Sequence, residues 1–167
     1  MSSSGSPSTG PNLSELLESL CASGIDFILV GGLAAVIQGS PVTTMDVDIV
    51  HRRTPDNIER LMAFLKSIET VYRRPDDKVI EPMASDLAGM GHLFFKTRLG
   101  PLDVLSYVEG KKTYEELIGH TVEISFKGHM IRVLDLKTLV ELKRLSKDPK
   151  DQQRLAILEE TLRLLAK

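Results

Sequence analysis

Two aspartates one residue apart, Asp46 and Asp48, stand in the β-branched run Thr43 to His51. Strand side chains alternate with period two, so this spacing puts both carboxylates on one face and Met45, Val47 and Ile49 on the other. Like charges that close repel, and each holds the other's pKa up until a cation or solvent relieves them. A hard cation such as magnesium is the natural partner for paired carboxylate oxygens. A third acid, Asp103, stands alone in the apolar run PLDVLSYV, where a carboxylate needs a partner or a sheet edge. A two-residue Leu99-Gly100 loop would set Lys96 opposite Asp103 and make it the expected salt-bridge partner. The four histidines lack metal-ligand spacing, and the single cysteine, Cys21, falls in an amphipathic pattern as a buried structural thiol.

Positioning these acids is the task of the elements around them. Asn12 and Glu15 form a capping box for a helix whose Leu13, Leu16, Leu17 and Leu20 share a face, and Gly24 stops it. The apolar strand Ile25 to Val30 then meets Gly31-Gly32, a sharp turn into the short helix LAAVIQ. Free N–H groups at such a helix start suit an anion, although a Gly-Gly pair by itself is also an ordinary turn. After the Gly39-Ser40-Pro41 break and the Asp-bearing strand, Thr54-Pro55-Asp56 opens a helix with Ile58, Leu61, Met62, Leu65 and Ile68 buried. Residues 73 to 91 read as an irregular connection. Two hairpins follow, His92–Arg98 with Pro101–Val108 and Thr121–Phe126 with His129–Leu134, separated by a short helix from Thr113. Asp135 or its neighbour caps a helix carrying Leu136, Leu139, Val140 and Leu142, and after the Asp148-Pro149 break a last amphipathic helix follows. The expected fold class is α/β (α+β): a mixed sheet of about five strands packed with five or six helices.

At 167 residues and 42% apolar composition, the expectation is one domain over 12–167, its helical C-terminal part starting near 135, after a disordered tail over 1–11. No apolar run approaches the roughly 20 residues of a spanning helix, and the first residues lack the pattern of a signal peptide, which points to the cytoplasm. The net charge of −2 gives no footprint for stable duplex nucleic-acid binding. From His129 onward Lys and Arg outnumber Asp and Glu, a local excess that suits a triphosphate. Hairpins at the sheet edges leave room for a homodimer.

Val30-Gly31-Gly32, thirteen residues, then Asp46-Val47-Asp48-Ile49 resembles the signature of the DNA polymerase β-like nucleotidyltransferase superfamily. Leu142-Lys143 and Lys150-Asp151 are similar to a later feature of small bacterial nucleotidyltransferases related to the AbiEii toxin group. The resemblance implies transfer of a nucleoside monophosphate from an NTP such as ATP to a hydroxyl, with two magnesium ions as cofactors. It implies Asp46, Asp48 and Asp103 as metal ligands and catalytic acids, with Asp103 beside the activated hydroxyl. Gly31, Gly32, Thr44 and Lys143 would then bind the nucleotide. The acceptor implied is a small molecule such as an antibiotic, a tRNA end or a protein side chain. One position departs from the pattern: relatives carry a basic residue four before the first metal Asp, and here it is Val42, with Thr44 kept. That departure supports the alternative of a non-catalytic nucleotide-binding module or toxin–antitoxin partner protein on the same fold.

Overall fold

Asn12 accepts the Glu15 amide at 3.1 Å and starts α1 (Leu13–Ala22), the first element of a computed structural model that describes residues 12–166. The tail expected over 1–11 lies outside the described residues. β1 (Phe27–Val30) runs directly into α2 (Gly31–Ile37), and β2 (Val47–His51) is followed by α3 (Pro55–Ser67), with Pro55 in its first turn. Then come β3 (Val71–Tyr72), α4 (Ala84–Ala88), β4 (His92–Thr97), β5 (Gly100–Leu105) and α5 (Tyr114–Leu117). β6 (Thr121–Phe126), β7 (His129–Leu134), α6 (Leu136–Arg144) and α7 (Pro149–Leu165) complete the chain. Asp135 caps α6 by accepting the Thr138 amide at 2.7 Å, and Asp148 caps α7 by accepting that of Lys150.

Seven strands form one mixed sheet in the order β3-β4-β5-β2-β1-β7-β6. β1 pairs antiparallel with β2 and parallel with β7, while β2 pairs parallel with β5. Every residue of β1 is buried, as an apolar run covered on both faces requires. Val47, Ile49, Leu102 and Val104 alternate with the aspartates and join Leu16, Leu17 and Leu20 of α1 and Leu61 and Leu65 of α3 in one core. Each such side chain contributes about 1.5–3 kcal/mol on burial, which holds the strand register and with it the placement of the acids. Among the described residues no helix is long and apolar enough to cross a membrane.

The sheet has more strands than the five expected, and three local readings change. β2 begins at Val47, not Thr43, so Asp46 lies just ahead of the ladder. There the Thr44 hydroxyl donates to the Asp46 carbonyl at 3.1 Å and shapes the approach to the strand. The β4–β5 hairpin turns at Arg98-Leu99: the Thr97 hydroxyl donates to the Gly100 carbonyl at 2.7 Å and accepts the Leu99 amide at 3.0 Å, while Leu99 is buried. Lys96 consequently pairs with Pro101, and Phe94 stands opposite Asp103. Within the stretch expected to be irregular, Asp86 accepts from the Met83 amide at 2.9 Å and the Tyr72 hydroxyl at 2.6 Å, ordering α4 against β3.

Candidate active site

The parallel register of β2 and β5 sets Asp48 beside Asp103 on one face of the sheet. Asp46, two residues earlier, reaches the same place from the end of the β2 approach. One carboxylate oxygen from each of Asp46, Asp48 and Asp103 lies within 4.8 Å of the others. Burial pushes the Asp48 carboxyl up to about 8, with the charges of Asp46 and Asp103 adding to the effect and Lys143 opposing it. Burial also raises Asp46, followed by the charge of Asp103. Asp48 Oδ1 is buried with no hydrogen-bond partner among the described residues. Such an oxygen is costly unless something satisfies it. An all-oxygen acidic donor set with one orphaned, desolvated oxygen fits a hard divalent cation.

The two glycines make room for this arrangement. Gly31 has φ +74°, and a Cβ there would lie 2.1 Å from Asp48 Oδ2, so only glycine admits the carboxylate. A Cβ on Gly32 would lie 3.0 Å from Arg154 Nη1 and from the Thr44 side chain. The space that the glycines leave open at this turn is thus filled by Asp48, Thr44 and Arg154.

Lys143, on α6, pairs with Asp151 of α7 at 3.1 Å and with Glu109 at 3.8 Å. It shares a cavity of about 80 Å³ with Gly31 and Asp48, so its ammonium faces the acids while two carboxylates anchor it. Asp151 also accepts the Ser146 hydroxyl at 2.6 Å, which makes it the hinge pin between α6 and α7. Lys150 is exposed in the first turn of α7, and its amide donates to Asp148.

Two arginines missed in the sequence complete the site. Arg73, immediately after β3, donates through Nη2 to Asp103 Oδ1 at 2.8 Å and through Nη1 to the Phe95 carbonyl at 3.0 Å. It replaces Lys96 as the partner of Asp103, because the shifted hairpin carries Lys96 past that residue. Its guanidinium also lies 5.6 Å from the centre of the Phe94 ring. No local pattern announces Arg73, which is thirty positions from Asp103. Arg154 donates to the Thr43 carbonyl. It brings a guanidinium back to the segment where Val42, itself buried, supplies none. A trace of this was readable: Asp151 and Arg154 stand three apart on α7 and share a side with Leu155 and Leu158.

No family model and no curated protein matches the sequence. Solved structures do. The lincosamide antibiotic adenylyltransferase LnuA, with lincomycin bound, superposes with a TM-score of 0.59 over 90% of this chain and 96% of that one, at 12% identity. A nucleotidyltransferase-like protein from Paracoccidioides brasiliensis gives 0.57 over 91% and 74%, at 17% identity. ANT(2″)-Ia in complex with adenylyl-2″-tobramycin gives 0.55 over 89% and 88%, at 13% identity. The chain has the nucleotidyltransferase fold. Within the nucleotidyltransferase fold the acidic face of β2 and β5 lies between two differently furnished sides. Lys143 and Arg154 stand on the side of α2, α6 and α7, and Arg73 and Phe94 stand on the side of β3 and β4.

Proposed function

We propose that this protein is a magnesium-dependent nucleotidyltransferase that moves a nucleoside monophosphate from an NTP to a hydroxyl of a small-molecule acceptor. The observation that carries the reading is the convergence of Asp46, Asp48 and Asp103, with one buried oxygen of Asp48 left unpartnered. Asp46 and Asp48 would hold the cations, and Asp103 would complete the set. Bound magnesium supplies positive charge at the reacting phosphate and lowers the pKa of the attacking hydroxyl. Lys143 and Arg154 face the departing pyrophosphate and offset its charge, while the Gly31-Gly32 turn seats the Asp48 carboxylate. Asp103, once released by Arg73, accepts the acceptor's proton. The acceptor oxygen forms a bond to the α-phosphorus as the bond from that phosphorus to the bridging oxygen breaks, and pyrophosphate leaves. The likeness to LnuA, an antibiotic adenylyltransferase, and to ANT(2″)-Ia, seen with adenylyl-2″-tobramycin, supports ATP as donor and a small acceptor.

Thermal unfolding with each of the four NTPs, with and without magnesium, tests the reading on the wild type and on Asp46→Asn. A nucleotide at 100 times its dissociation constant adds about 2.7 kcal/mol to the wild type. That shift should require magnesium and disappear in the variant. A wild type that no magnesium–NTP pair stabilises would overturn the proposal.

A further inference from the structure

On the β3 and β4 side of the acids the sheet presents an open aromatic surface. The β4–β5 register places Phe94 directly across from Asp103, on the same face, and 45% of Phe94 is exposed. His92, two residues earlier, projects to that face too; its ring is 6.3 Å from Phe94 edge-on and 4.7 Å from Tyr107. The His92 ring faces the Tyr107 carbonyl at 3.2 Å through Nε2, which fixes its attitude. Arg73 joins this row to the acids, for it touches both the Phe94 ring and the Asp103 carboxylate. An exposed phenyl ring beside the acids offers a face that another ring can cover with a gain in free energy.

The opposite side of the acids carries Lys143 and Arg154, the cations suited to a triphosphate, so the aromatic side remains for the acceptor. We infer that Phe94, with His92 edge-on beside it, is the acceptor platform, and that the acceptor is a hydroxyl-bearing molecule with a flat aromatic ring and no positive charge. The ring stacks on Phe94 while its hydroxyl reaches Asp103. Arg73 and the exposed Lys96 on the same strand face repel a polycation and accommodate a neutral or anionic group. This inference rests on the transferase reading and names the acceptor class for that same site.

Ligand-observed NMR saturation transfer tests it on protein loaded with magnesium and a non-hydrolysable ATP analogue. The probes are 4-nitrophenyl β-glucoside, methyl β-glucoside and kanamycin, which differ in aromatic ring and charge. The aryl protons of the nitrophenyl glucoside should receive saturation, and the other two probes should receive little. Phe94→Ala should weaken the aryl probe by about tenfold, the size of a lost stacking contact, and Phe94→Trp should retain it. Both variants should keep the unfolding temperature and the magnesium–NTP shift of the wild type. Equal aryl binding in Phe94→Ala, or preference for kanamycin or methyl glucoside, overturns the platform. If nucleotide produces no shift but the aryl probe still depends on Phe94, the ring site remains while the transferase reading and the acceptor role both fall.

Discussion

Gly31 and Asp48 form the tightest constraint in the site, and each predicts a measurable effect. Alanine at 31 would put a methyl group 2.1 Å from the Asp48 carboxylate in a backbone conformation that L-residues avoid. Gly31→Ala should therefore cost about 1–3 kcal/mol in urea unfolding and remove the magnesium-dependent nucleotide shift. Gly32→Ala meets the mobile end of Arg154 and the Thr44 side chain at 3.0 Å, so its cost should be smaller. Asp48 predicts a pH dependence. Its carboxyl is raised to about 8 in the folded protein and ionises near 3.9 once unfolded, so the unfolded state gives up its proton first. Its contribution is therefore greatest below about pH 4 and declines as pH rises through about 8 in metal-free protein. Urea midpoints measured in chelator at about pH 5 and about pH 8.5 should fall more steeply for the wild type than for Asp48→Asn. Parallel slopes for the two proteins would count against this account. The acids themselves were readable, because alternation and spacing are local properties of a strand. Arg73 was not, and Arg154 left only the trace of its spacing from Asp151, because both arrive through tertiary packing.

At the scale of elements, what could be read depended on how much a segment's shape owed to its own residues. Asn12 caps α1 as its sequence pattern implies and Asp135 caps α6, while Asp148, expected only to end α6 with Pro149, also caps α7; each bonds an amide two or three positions away. The two-residue β3 escaped notice because it exists only through pairing with β4. The β4–β5 turn lies one residue before the expected Leu99-Gly100, because the Thr97 hydroxyl sets the bend and the core takes in Leu99. The junction of α6 and α7 depends on Asp151, which takes up both the Lys143 ammonium and the Ser146 hydroxyl. Asp151→Ala should lower stability by about 1–3 kcal/mol by leaving those two donors without their acceptor. Thermal unfolding of that variant without nucleotide is the check, and an unchanged midpoint would mean that solvent replaces the carboxylate at no cost.

Across the molecule, β2 and β5 fix the acids at the middle of the sheet, and the two flanks do different work. Asp48 and Asp103 share one parallel ladder, so a slip of one residue in either strand would turn a carboxylate into the core. Phe94 and His92 instead belong to β4, on the outer side of β5, and the turn at Arg98-Leu99 joins their strand to the one that bears Asp103. A lineage carrying this chain can thus exchange the residues that β4 shows to solvent without disturbing the β2–β5 ladder that holds the acids, while a change in the length of that turn would shift β4 against Asp103. On the proposed reading, new acceptors are open to it by surface substitution, while the register of β2 and β5 has to stay as it is.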